Sequence, residues 1–293
     1  MTDEPTASHV VLTGGTGYIG RAVLAHLLTS GHRVTAIVRS QASAQVVDEA
    51  GATPLVGDLF DSAWLAEQLR GADALVHTAA GSDADDARLN DAVIAAALEA
   101  FAGTEKPFVH TGGIWTYGAN SAITEDSPAD PPAITAWRVA GEEKVLTSGL
   151  RASVVRPGIV YGHGGGIAAM ALVGAPRDAE GRRVLVGSGE QHWTTVHVED
   201  LADLYVRVLE QAPGGQAYLG VAGASPTVRE LGEALGPVVA GSGLEAVERF
   251  GAPFAEALLL DQQAVGNRGA ELGWTPSHPT LVELLAAGYP ADR

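Results

Sequence analysis

Short apolar runs recur through the first 160 residues, separated by stretches with the wider spacing of helices. HVVLTG (9–14), RVTAIVR (33–39), TPLVGD (53–58), DALVHTAA (73–80), PFVHTGG (107–113) and RASVVRPG (151–158) are rich in valine, isoleucine and leucine. They do not alternate apolar with polar positions, so they read as six strands buried on both faces. RAVLAHLLTSG ends on Gly31, which suits a left-handed C-terminal position. DSAWLAEQLRG opens on Asp61, an N-cap, and closes on Gly71. ITAWRVAGEE (134–143) predicts the start of an amphipathic helix, with Ile134 and Arg138 one turn apart on one face. Repeated strand–helix–strand units imply an α/β fold built on a doubly wound parallel sheet with right-handed crossovers.

After about residue 160 this rhythm breaks. YGHGGGIAAM is glycine-rich, RRVLVGSGEQHWTTVHV reads as two short strands with a turn, and EDLADLYVRVLEQ is a helix. Thr227 and Glu230 have capping-box spacing. Pro128, Pro131 and Pro132 mark a loop. The pattern therefore predicts a dinucleotide-binding domain over residues 1–160. A smaller α+β lobe over 161–293 would hold the substrate, with some of its strands and helices returning to the sheet.

Composition narrows the partners. Of 293 residues, 46% are hydrophobic and 18% charged, the balance of a chain that folds around a core. The net charge of −17 repels a phosphate backbone, so nucleic acid is not an expected partner. No apolar run reaches the roughly 18 residues a membrane span needs, and the acidic start MTDEPTASHV reads as a short frayed leader without signal-peptide features. With no cysteine there is no thiol catalysis, and a reducing, cytoplasmic location is expected.

VVLTGGTGYIGRAVLAHLL carries the sharpest chemistry. Gly15, Gly17 and Gly20 satisfy G-x-G-x-x-G between a strand and a helix. Such glycines allow a tight turn, close approach of the backbone to a pyrophosphate and tight helix–strand packing. The alternative is a glycine-rich turn with no ligand. The second strand ends in Val38, Arg39 and Ser40 with no acid to accept a ribose 2′-hydroxyl. Arg39 could instead grip a 2′-phosphate, which favours NADP over NAD; a solvated surface arginine is the alternative.

Taken with Asp58 in GDLFD, HTAA (77–80), HTGGIWTYG (110–118), RPGIVYG (156–162), WTTVHVEDLADLYVRVLE (193–210) and the final ELGWTPSHPTLVELLAAG, the sequence resembles the short-chain dehydrogenase/reductase superfamily. The spacing T-G-x-x-G-x-x-G is similar to its extended and atypical, epimerase/dehydratase-like branches, although a larger group of the superfamily has glycine where this chain has Tyr18. The resemblance implies a Rossmann-like sheet of about seven parallel strands with a C-terminal substrate lobe. It implies that Gly14, Gly17, Tyr18, Ile19 and Gly20 meet the pyrophosphate, that Asp58 and Leu59 flank adenine, and that Ala79 and Ala80 lie along the ribose. Pro157, Gly158, Ile159 and Val160 would lie by the nicotinamide.

The family's proton-transfer residues do not carry over. Aligned on RVAGEE, the tyrosine slot holds Ile134, the lysine slot Arg138 and the serine or threonine slot Gly113. Isoleucine exchanges no proton, and arginine is too basic to act as a neutral base, though Arg138 can still bond the nicotinamide ribose. Tyr117, Tyr161 and His192 are the substitute candidates for proton transfer, each with a plain structural role as its alternative. Trp115, His163 and Trp193 are candidates for the substrate pocket, and no metal site is expected. The chain thus reads as an NADP-dependent oxidoreductase of the atypical short-chain type, moving hydride to or from a small, partly apolar organic substrate. The alternatives are a non-catalytic NADP-binding sensor and an epimerase- or lyase-like enzyme that uses bound cofactor. A homodimer is usual in the family, but no seam in this sequence marks one.

Overall fold

The computed structural model describes residues 7–80 and 85–289. Residues 1–6, most of the expected acidic leader, lie outside the described residues. Contacts divide the chain into two compact units of three segments each. The first takes the chain up to residue 112, then 140–155 and 202–218; the second takes 113–139, 156–201 and the chain from 219.

Strands and helices alternate at first: β1 (His9–Thr13), α1 (Tyr18–Thr29), β2 (Arg33–Val38), α2 (Gln41–Glu49), β3 (Thr53–Val56), α3 (Ser62–Arg70), β4 (Ala74–His77), α4 (Asp86–Ala100) and β5 (Phe108–Thr111). Then come β6 (Asn120–Ile123), α5 (Ala136–Leu146), β7 (Ala152–Pro157), β8 (Ile159–Tyr161), the short α6 (Gly166–Ala168), β9 (Arg183–Val184), β10 (Thr195–His197), α7 (Val198–Gln211) and β11 (Gln216–Gly220). The chain closes with α8 (Val228–Glu233), β12 (Val238–Val239), α9 (Gly243–Phe250), α10 (Ala252–Leu258), β13 (Gln262–Ala264), α11 (Arg268–Glu271) and α12 (Leu281–Ala286).

All six apolar runs form strands of one seven-stranded parallel sheet, in the order β11-β7-β5-β4-β1-β2-β3. Both faces are covered, as the lack of alternation predicts: Val10, Leu12, Ala36, Leu75 and Val76 are fully buried. The order reverses after β1, which pairs with β2 on one side and β4 on the other. In open sheets such a reversal opens a crevice at the carboxyl ends of the strands. The helix start at Asp61 follows the sequence signal, and a second cap forms at Ser40. Ser40 accepts from the Ser43 amide and Asp61 from the Trp64 amide, each satisfying one orphan donor. Gly31 is left-handed, at φ +85°, as expected. Among the described residues no helix is long and apolar enough to cross a membrane.

The second unit has its own core, with Trp193, Tyr161, Leu185, Leu258 and Leu281 buried together. Its strands pair in twos: β8 with β10, β9 with β12 and β6 with β13. Several sequence expectations change here. Residues 113–139 and 156–160, assigned above to the first domain, cluster with the second unit; 202–218 cluster with the first, and a return of some later elements to the sheet is part of the expectation above. The two strands expected within RRVLVGSGEQHWTTVHV form but do not pair with each other; β9 and β10 run parallel to β12 and β8 instead. The helix after Pro132 starts later than predicted. The Thr135 amide bonds the Pro132 carbonyl (3.0 Å), a tight turn that delays α5 to Ala136 and leaves Ile134 in the turn. Ile134 and Arg138 are therefore not successive positions on one helix face. The capping box of Thr227 and Glu230 forms in both directions.

Candidate functional site

The first unit holds a cleft of about 600 Å³, the size of a small-molecule or cofactor site. Ten of the residues expected at the cofactor line it: Gly14, Gly17, Tyr18, Ile19, Gly20, Arg39, Asp58, Leu59, Ala79 and Ala80. Its floor is the turn from β1 into α1. Gly14 sits at φ +80°, and a Cβ there would stand 2.5 Å from the Ala79 amide nitrogen. A Cβ on Gly20 would run into the Gly14 carbonyl and come within 2.8 Å of Thr78 Oγ1. Gly17 is the N-cap of α1 and supplies no side-chain cap, so the first amides of the helix stay open to an anion. Backbone donors around a close-approach turn, with no side chain filling it, fit a dinucleotide pyrophosphate.

A buried polar chain anchors this floor. Asn90 uses its amide nitrogen on the Asp86 carbonyl (2.9 Å), so its Oδ1 must accept from His77 Nε2 (3.1 Å). His77 Nδ1 then accepts from the Thr13 hydroxyl (2.6 Å). Thr78 Oγ1 donates to the Thr13 carbonyl (2.8 Å). The ends of β1 and β4 are thereby tied together beneath the cleft. At the rim, Arg39 is exposed and bonds no described residue, while the adjacent Ser40 caps α2. Sequence reasoning missed Phe60, Ser43 and Leu89, which also line the cleft. Phe60 carries the guanidinium of Arg88 4.5 Å from its ring centre. Phe60 and Ser43 were signalled only by proximity to Asp58 and Arg39, and Leu89, on α4, by nothing in its neighbourhood.

The other five residues expected at the cofactor, Arg138, Pro157, Gly158, Ile159 and Val160, belong to the second unit. Gly158 donates to the Gly220 carbonyl (2.9 Å). The Arg138 guanidinium lies over the Trp137 ring at 4.4 Å.

Each substitute proton donor already has a partner. Tyr117 is 2% exposed; its hydroxyl donates to the Glu125 carbonyl (3.2 Å) and accepts from Arg156, a residue the sequence reading passed over. Tyr161 donates to the Pro279 carbonyl (2.9 Å), and burial, then the nearby Asp200, push its pKa well above the usual phenol value. A phenol so held gives up its proton reluctantly. His192 Nδ1 meets Asp261 Oδ1 at 2.8 Å.

The pocket candidates do not form one wall. Trp193 is a core residue, 2% exposed, with its indole N–H on the Leu258 carbonyl (3.0 Å). Trp115 meets Phe254 edge-on at 5.5 Å. His163, at φ +49°, pairs with Glu199 and stands edge-on to His197. His197 stacks on His278 at 4.3 Å, and His278 bonds Asp200 (2.8 Å). Burial, reinforced by His278, lowers His197 to about 4.

Gly113, in the vacated serine or threonine slot, faces open space, with nothing within 4 Å of an added Cβ. Gly113→Ser should therefore fold normally, with stability changed by no more than about 0.5 kcal/mol in a denaturant titration.

Residues 10–219 match the family described as the NAD dependent epimerase/dehydratase family. The chain is 32% identical over 294 residues to an uncharacterized protein of Schizosaccharomyces pombe, covering 95% of this chain and 98% of that one. It is also 32% identical over 236 residues to a 4-hydroxy-2-methyl-3-oxo-4-farnesyl-3,4-dihydroquinoline-1-oxide ketoreductase of Stigmatella aurantiaca, covering 75% and 70%. Its fold is similar to that of the human epimerase family protein SDR39U1 (isoform 2) in a crystal structure with NADPH. The TM-score is 0.69 and the identity 24%, with 95% of this chain and 98% of that one covered.

Proposed function

We propose, from the premise that the chain belongs to the NAD dependent epimerase/dehydratase family, that it is an NADP-dependent oxidoreductase acting on a small, partly apolar organic substrate without the family's tyrosine–lysine pair. One observation carries the cofactor choice: Arg39 stands at the lip of the cleft, bonded to no described residue, where an NAD-selective site would place an acid. A guanidinium there suits a 2′-phosphate by charge-assisted hydrogen bonds. The backbone donors of the Gly14–Gly20 turn would hold the pyrophosphate, and a bound nicotinamide would supply or accept the hydride. Calorimetry should find NADPH bound more tightly than NADH. Arg39→Asp should erase or reverse that preference, by on the order of 1–3 kcal/mol. Equal affinities in the unmodified protein would overturn the choice of NADP.

The commitments of the Tyr117 and Tyr161 hydroxyls favour a substrate that needs no phenolic proton from the protein. An imine or an activated alkene qualifies, since such an acceptor is already protonated or polarised, or can take its proton from water. NADPH oxidation tested across imines, activated alkenes and simple ketones should select the first two classes. The competing reading is a dinucleotide sensor, and failure to oxidise NADPH with any of the three classes would favour it.

Tyr117 serves here as a brace. Removing its hydroxyl takes an acceptor from the half-buried Arg156. Tyr117→Phe should cost roughly 1–3 kcal/mol of stability in a denaturant titration and leave turnover within a fewfold. A loss of about 100- to 10,000-fold in turnover would restore it as the acid.

A further inference from the structure

The second unit contains a cavity of about 650 Å³ that shares no lining residue with the nucleotide cleft. Tyr161 and Thr195 line its buried part; neither is more than 3% exposed. The two hydroxyls differ. Tyr161 is spent on the Pro279 carbonyl, whereas Thr195 Oγ1 makes no hydrogen bond to any described residue. The preceding Thr194 shows the ordinary arrangement: its hydroxyl bonds Ser225 (2.9 Å) and the Gln262 carbonyl (2.9 Å). A hydroxyl that bonds no described residue, on a side chain that lines a cavity, is suited to a ligand.

The walls are apolar, formed by Pro226, Ala234, Leu281 and Val282. Glu230 and Glu233 stand three residues apart on α8 and also line the cavity. Glu230 Oε2 accepts from the amide and hydroxyl of Thr227, which hold its carboxyl below the usual range and keep it ionised. Glu233 forms no ion pair with a described residue. Among the described residues no lysine, arginine or histidine lines the cavity. Two carboxylates, in a chain of net charge −17, oppose a phosphate or carboxylate ligand and favour a cation.

We propose that this cavity binds a small organic cation with an apolar body and a hydroxyl at the end remote from the charge. The ammonium group lies against Glu230 and Glu233, the hydrocarbon against Leu281 and Pro226, and the far hydroxyl on Thr195.

The test uses the full chain near neutral pH and four six-carbon-ring probes: trans-4-aminocyclohexanol, cyclohexylamine, cyclohexanol and cyclohexanecarboxylate. Binding is followed by ligand-observed NMR titration. The amino alcohol should bind most tightly and the carboxylate at least about tenfold more weakly than cyclohexylamine, a difference of roughly 1.4 kcal/mol. Glu233→Gln, at an exposed position, should weaken both amines severalfold and leave cyclohexanol unchanged. Thr195→Val should erase the advantage of the amino alcohol over cyclohexylamine. Unfolding curves and NADPH titrations of both variants check that fold and nucleotide cleft are intact. If Thr195→Val does not fold, the Glu233→Gln result decides the proposal. The proposal fails if neither amine binds saturably, if the carboxylate binds as well as the amines, or if Glu233→Gln leaves the amine affinities unchanged.

Discussion

Gly20→Ala should strip the protein of dinucleotide binding while leaving it folded. The added Cβ cannot be housed where α1 begins. It would overlap the Gly14 carbonyl and press on Thr78 Oγ1 at 2.8 Å, and neither is the loose end of a flexible side chain. Gly14 O is held by the Gly17 amide (2.8 Å), and Thr78 Oγ1 by the Thr13 carbonyl (2.8 Å). The turn must open, moving the amides that would face a pyrophosphate. Strain of about 1–3 kcal/mol, taken from binding, lowers NADPH affinity by up to roughly 100-fold. The sheet itself is built from strands this change does not touch. Calorimetric titration with NADPH, beside circular dichroism of the same sample, checks both halves. Unchanged affinity with the fold intact would mean that this turn is not the phosphate site.

Acid should destabilise the protein through His197. The ring is 3% exposed and stacked on His278, and its Nδ1 accepts from the Glu199 amide (3.3 Å). Tyr161 and His163 meet it edge-on, and the charges of Asp200 and Glu199 favour its protonation without offsetting burial. Its folded pKa of about 4 lies below the ordinary histidine value of 6.5. The unfolded chain therefore binds this proton first as pH falls. The stabilisation is fully present above pH 6.5 and is lost progressively as pH drops through about 4. The loss amounts to roughly 3 kcal/mol at most. Denaturant titrations between those limits should show stability rising with pH, and His197→Phe should flatten the slope whatever it does to absolute stability. An unchanged slope in that variant would assign the acid sensitivity elsewhere.

The elements of the first unit were readable because its physics is local. A strand covered on both faces must be apolar throughout, and a close-approach turn must be glycine, so β1 to β5, β7 and the cleft floor follow from short windows. What could not be read depends on partners distant in sequence. Nothing within 113–139 records which core it joins, and Trp193 has the same composition whether it lines a pocket or fills a core. Its indole N–H finds Leu258, 65 residues away. The turn that leaves Ile134 outside α5 depends on one backbone bond to Pro132, which periodicity does not register. Arg39 was the reverse case: a single side chain at a strand end, legible because its place relative to the glycine turn is set by the βαβ unit itself.

The sheet order also sets a timetable for synthesis. β7 is complete at residue 157, but β11, its neighbour at the end of the sheet, ends only at residue 220. During the interval a nascent chain emerging from the ribosome exposes the outer edge of β7, whose Val154 and Val155 are fully buried in the finished protein. An unpaired apolar edge is a template for pairing with another chain. Synthesis of the intervening 62 residues, at about 5–20 residues per second, holds that edge open for roughly 3–12 seconds. On a polysome, where neighbouring nascent chains expose the same edge, such pairing between chains is favoured.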